Sequence, residues 1–116
     1  MIDFVQAPFR HPIEPDRHRL EAAADTLRLL AEPTRLHLLW VLAAGPACVA
    51  DLVNATGSAR TIVSQHLAKL RLSGLVDARK EGRKVIYSIR DDHLNRLIQE
   101  AINHANHPIS RQPKHD

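Results

Sequence analysis

Asp91, His93, His104 and His107 have the types and the spacing of a metal site that one helix cannot close. The first two open the stretch "DDHLNRLIQEAINHANHP" and the last two end it. Carboxylate oxygen and imidazole nitrogen are donors that zinc takes at about 2 Å, commonly four in a tetrahedron. On one helix the 11 residues from His93 to His104 amount to about 16 Å at 1.5 Å per residue, so both ends cannot reach one ion. The same interval rotates by only about 20° net, which puts the two rings on one face with His107 about 60° away. Two such helices packed antiparallel would bring the start of one to the end of the other. Asp91 and His93 of one protomer would then face His104 and His107 of its partner, and two-fold symmetry would make the site twice. Asp91 and His93 point nearly opposite ways on an ideal helix, so this scheme requires Asp91 at the N-cap with non-helical dihedrals.

The same residues have plainer uses. Asp91 and Asp92 could simply cap an N-terminus, with His104 and His107 near a C-terminus where the helix dipole favours them. His-x-x-His without an intervening Glu lacks the zinc-hydrolase pattern, which leaves a zinc enzyme the remotest reading. Of the remaining histidines, His11, His18 and His115 keep open an octahedral nickel or cobalt site with extra ligands, while His37 reads as a boundary residue. Cys48 is the single cysteine. It cannot form an internal disulfide and reads as a small buried hydrophobe.

What must position these groups is one small domain of 116 residues. Hydrophobic residues make up 44% and aromatics 3%, so the core is Leu, Val, Ile and Ala, which favours packed helices over a β-sandwich. No stretch approaches the ~18 apolar residues of a membrane span, and no leader pattern is present, so the expected compartment is the cytoplasm. The net charge of +3 is unevenly placed. Residues 58–90 hold eight cations against two carboxylates, a net of +6, which leaves −3 for the rest. A basic segment in a slightly acidic molecule is a footprint for a polyanion, or else a solvated face.

Residues 1–15, with Pro8, Pro12 and Pro15, read as a flexible arm and 108–116 as a tail, flanking a domain over 16–107. Leu20, Ala23, Ala24, Leu27 and Leu30 recur at helical spacing in a first helix from about Asp16 to Ala31. Pro33 suits the first turn of a second helix, "TRLHLLWVLAA", apolar nearly all round and expected at the buried centre. A third, "CVADLVNAT", stops at Gly57; a fourth begins with Ser58 as N-cap and ends at Gly74. Ile62, Val63, Leu67 and Leu70 are its expected core side chains. "LVDARK" and "KVIYSIR" around Glu81-Gly82-Arg83 read as a hairpin. Leu94, Leu97, Ile98, Ala101, Ile102 and Ala105 form a stripe on a last helix closed by Pro108. The predicted order is α-α-α-α-β-β-α, mainly α with a β-hairpin: a winged helix-turn-helix, dimerising through its first and last helices.

In such a fold the fourth helix enters the major groove, its N-terminal side chains reaching base edges while cations position the backbone. The candidates are Ser58, Arg60, Thr61, Ser64, Gln65 and His66, with Gln65 suited to adenine and Arg60 to guanine or phosphate. Lys69 suits a phosphate or plain solvent; Lys80, Arg83 and Lys84 suit phosphates or the adjacent minor groove.

The run "SQHLAKLRLSGLVDARKEGRKVIYSI" resembles the recognition helix and wing of the ArsR/SmtB family of metal-responsive repressors, and the similarity extends from roughly Leu27 to Pro108. "DDH" and "AINHANHP" are most similar to its zinc-sensing members, with the metal site on the last helix. The resemblance implies a homodimer that binds an inverted-repeat, double-stranded operator when metal-free. Zinc would then release it, derepressing efflux or resistance genes; neither a membrane nor a small-molecule substrate is implied. Where some relatives carry a Cys-x-Cys pair for thiophilic metals, Cys48 is followed two positions on by Ala50, so that site is incomplete. A winged-helix regulator without metal response remains the other regulatory alternative.

Overall fold

The computed structural model describes residues 14–106; all but Glu14 and Pro15 of the expected arm, the whole of the expected tail, and with them His11, His107 and His115, lie outside the described residues. The order is α1 (Arg17–Leu30), α2 (Pro33–Ala44), α3 (Val49–Thr56), α4 (Arg60–Leu72), β1 (Val76–Glu81), β2 (Lys84–Ile89) and α5 (Asp92–Asn106). This is the predicted winged helix-turn-helix order.

Local chemistry sets the boundaries. Asp16 caps α1 by accepting the backbone N–H of Arg19 at 2.8 Å, and Glu32 caps α2 through Arg35 at 2.7 Å, with Pro33 in the first turn. Gly57 closes α3 at φ +75, a left-handed conformation that costs an L side chain. A Schellman motif ends α4: the N–H of Leu75 bonds Leu70 and that of Gly74 bonds Arg71. Ser58 is not the N-cap of α4. Ala59 takes that place with extended dihedrals and no capping side chain, while the backbone N–H of Ser58 bonds the Thr56 hydroxyl at 3.3 Å inside the turn.

The core gathers on α2 as its unbroken apolarity requires. Leu38, Leu39 and Leu42 are buried among Leu30, Leu52, Val63, Leu67, Leu70, Val76, Leu94 and Ile98. Each buried aliphatic contributes about 1.5–3 kcal/mol relative to exposure. Ile62 departs from the expected core and is 40% exposed. The buried row of α4 is Val63, Leu67 and Leu70, and Ile62 lies about 100° round from Val63.

The hairpin pairs Val76 with Ile89 through to Glu81 with Lys84, leaving Gly82 and Arg83 as a two-residue connection with Gly82 at φ +64. An unanticipated bridge ties this wing to the body. Ala47, just ahead of α3, exchanges backbone bonds of 3.0 and 2.8 Å with Tyr87.

Candidate metal half-sites and nucleic-acid interface

Asp91 is placed at the start of α5, as both the metal scheme and plain capping expect. Its Oδ1 accepts the N–H of Leu94 at 2.8 Å and its carbonyl accepts that of Asn95, so it is the N-cap of α5. His93 follows in the first turn, exposed, its Nδ1 3.1 Å from an Arg96 guanidinium nitrogen. His104 lies exposed in the last described turn. Among the described residues no three His, Cys, Asp or Glu side chains cluster as a metal site within the chain. The candidate donors Asp91 and His93 stand at one end of α5 and His104 at the other, and a carboxylate with imidazoles is a donor set that suits zinc, cobalt or nickel.

The stripe of α5 is divided between two uses. Leu94 and Ile98 pack into the core, whereas Leu97 is 39% exposed. Four residues after His93 and seven before His104, Leu97 shares their face. A cavity of about 230 Å³ beside it is lined by Thr26 of α1 together with Asp91, His93, Leu94 and Leu97. On α1, Leu20 and Leu27 are 52% and 53% exposed; seven residues apart, they form a second bare apolar row.

The basic segment belongs to the other side of the fold's chemistry. Its two carboxylates are both taken within the wing: Asp77 accepts Arg90 at 2.7 Å and Glu81 accepts Arg79 at 2.7 Å. The +6 of residues 58–90 thus resides on Arg60, Lys69, Arg71, Lys80, Arg83 and Lys84. Arg60, Arg83 and Lys84 line one cleft of about 280 Å³ between the starts of α3 and α4 and the wing. Thr61, Ser64 and Gln65 are exposed on α4, as are Lys69 and Lys80, and Ser58 is half-buried. His66 is turned inward, with Nδ1 3.5 Å from Arg35 Nε and Nε2 3.7 Å from a Glu32 oxygen.

Cys48 is buried and has a definite task as the N-cap of α3. Its thiol and its backbone N–H both hydrogen-bond the Asp51 carboxylate, which holds Asp51 below the usual carboxylate range. Asp51 and Glu32, whose carboxyl is lowered chiefly by the Arg35 backbone N–H, are structural acids that sequence patterns did not single out. His37 and His18 are exposed on α2 and α1. No helix among the described residues is long and apolar enough to cross a membrane.

Residues 32–78 match the family model described as a bacterial regulatory protein of the arsR family. The HTH-type transcriptional repressor SmtB of Mycobacterium tuberculosis H37Rv is 37% identical over 102 residues, covering 88% of this chain and 75% of that protein. The HTH-type regulator NmtR of the same organism is 41% identical over 92 residues, 79% of this chain and 77% of that one. The solution structure of apo-NmtR superposes with a TM-score of 0.74 at 36% identity over 92% of this chain and 90% of that one. A homodimeric winged helix-turn-helix DNA-binding domain from Mycobacterium bovis gives 0.71 at 30% identity, over 91% and 100%.

Proposed function

The chain belongs to the ArsR/SmtB family of bacterial transcriptional repressors, and from that premise we propose that it is a zinc-sensing repressor working as a homodimer. Its relatives are transcriptional regulators, a class without catalytic activity. The observation that carries the metal reading is the division of α5: cap carboxylate and His93 at one end, His104 at the other, on the face whose Leu97 is left bare beside α1.

In this reading two α5 helices pack antiparallel and the α1 rows of Leu20 and Leu27 extend the contact. Asp91 and His93 of one protomer meet His104 and His107 of its partner, and zinc draws the two together. Metal-free, the dimer presents Arg60, Thr61, Ser64 and Gln65 to the major groove, with Ser58 in the preceding turn, while Arg83, Lys84, Lys80 and Lys69 hold phosphates. Two-fold symmetry implies an inverted repeat with half-sites about one helical turn, ~34 Å, apart. Zinc releases the DNA by favouring a dimer geometry in which the two α4 helices no longer match successive grooves. The coupling is reciprocal, so operator lowers zinc affinity by the same factor, typically 1–3 kcal/mol.

The test is fluorescence anisotropy of the dimer on DNA from upstream of its own gene, at fixed salt. The metal-free protein should bind, and zinc should release it near one ion per protomer. Because the donor set also suits cobalt and nickel, both are titrated in parallel. Release by those metals alone would assign the site to them, with His18 or the tail histidines as added ligands. DNA binding indifferent to every metal would leave a winged-helix regulator without metal response.

A further inference from the structure

One polar side chain of α4 turns away from solvent where the two polar residues before it do not. Ser64 and Gln65 are exposed, whereas the His66 side chain keeps 20% of its exposure and lies against the start of α2. Its two ring nitrogens meet two different groups, Arg35 Nε at Nδ1 and the Glu32 carboxylate at Nε2. Both of those groups are already held. Glu32 caps α2 by accepting the Arg35 backbone N–H at 2.7 Å, and Arg35 Nη1 donates to the Leu29 carbonyl at 2.9 Å in the last turn of α1. A connected set of polar contacts therefore runs from the end of α1, through the cap of α2, to the middle of α4.

Resting on the DNA-binding reading of α4, we infer that His66 is a positioning residue: a strut that fixes the pose of the recognition helix against the α1–α2 corner instead of reading a base. Burial of Val63, Leu67 and Leu70 fixes which face of α4 turns inward, but apolar contact is non-directional and leaves the last degrees of rotation to polar contacts. Hydrogen bonds are directional and oppose that rotation. Reading groups have to be held within about 0.5 Å and 10–20° of their working geometry, and Gln65, suited to adenine, is the immediate neighbour of the strut. With Arg35 Nε donating to Nδ1, the neutral ring carries its proton on Nε2, which stands 3.7 Å from Glu32, an electrostatic contact longer than a hydrogen bond. Neither Glu32 nor Arg35 lies on α4, so their removal reaches base reading through the α1–α2 corner and the helix that it braces.

The experiment compares metal-free wild type, His66→Ala, His66→Gln and Arg35→Lys on the upstream DNA and on a set of fragments in which each base pair is changed in turn. His66→Ala and Arg35→Lys should weaken binding about three- to tenfold on every fragment alike, and combining them should add little, as partners in one network do. Lysine keeps the charge of Arg35 but cannot serve the ring and the Leu29 carbonyl together. His66→Gln retains an acceptor and a donor at similar reach and should recover most of the affinity. Ring ¹⁵N shifts of His66 should report the Nε2–H tautomer in wild type and move in Arg35→Lys, a readout that needs no DNA. A loss in His66→Ala confined to one base pair would show direct reading and overturn the inference alone, as would unchanged affinity. Wild type that binds no fragment would overturn the regulator reading and this inference with it.

Discussion

Asp91 Oδ1 accepts the backbone N–H of Leu94 at 2.8 Å, so the carboxylate proposed as a zinc ligand is also the cap on which α5 starts. A carboxylate has two oxygens and about four lone-pair sites, and capping uses one of them. The two tasks are separable. Asp91→Ala should cost about 1 kcal/mol of stability in denaturant unfolding and also weaken zinc. Asp91→Asn should restore the stability to within a few tenths of a kcal/mol and leave zinc affinity low, since the anionic ligand is still missing. Asparagine with wild-type zinc affinity would remove Asp91 from the ligand set.

Arg96 holds the ring that the proposed zinc site needs at His93. A guanidinium only donates, so its 3.1 Å contact commits Nδ1 as acceptor and leaves the neutral ring's proton on Nε2. Coordination at either nitrogen has to break that arrangement. Arg96→Ala should therefore tighten zinc binding about two- to fivefold in competition with a chelating dye, the size of one exposed hydrogen bond.

DNA affinity should depend on the cations of the cleft between α3, α4 and the wing. Replacing Arg83 or Lys84 by Gln should weaken binding across all sequences and reduce the slope of log K against log salt by about 0.9 for each phosphate no longer neutralised. Gln65→Ala should instead erase preference at one base pair, worth about 1–3 kcal/mol. A sequence-specific loss from Lys84→Gln would place that lysine at a base.

Acid should act on the fold and on the proposed metal site by separate routes. Glu32 and Asp51 have carboxyl pKa values lowered by folding, so their stabilisation is fully present above the ordinary carboxylate range near 4 and is lost as pH falls through the lowered folded values. Glu32→Gln should flatten part of that acid limb in thermal unfolding. The proposed metal response is acid-sensitive too: imidazoles coordinate only when neutral, so zinc-induced release should weaken as pH falls.

Elements with their own local signals were legible in the sequence. Pro33, Gly57, Gly74 and the period of α5 each act within a few residues, and each lies where the pattern put it. The cap of α4 moved by one residue because Ser58 is held in the turn by Thr56, and Ile62 left the core because the buried face of α4 is narrower than its apolar row. Leu67→Ala should cost about 2–5 kcal/mol in chemical denaturation, whereas Ile62→Ala, whose side chain is already half in solvent, should cost under about 1 kcal/mol. Contacts between distant elements left no pattern to read. The bridge of Ala47 to Tyr87 spans a loop and a strand, and His66 reaches Arg35 across 31 residues. The spacing that nominates His93 and His104 as metal donors acts within one helix, whereas the inward turn of His66 depends on α2 and left no such pattern.

The claim that zinc binds between protomers is tested most directly by mixing two broken chains. His93→Ala destroys the start of the site and His104→Ala its end, so either homodimer has both sites impaired. In a mixed dimer the intact start of one chain meets the intact end of the other. Differently tagged chains, co-expressed and purified as mixed dimers, should bind one zinc per dimer with near wild-type affinity while neither homodimer binds any so tightly. A mixed dimer as weak as its parents would contradict the shared site and return the last-helix histidines to the surface of α5.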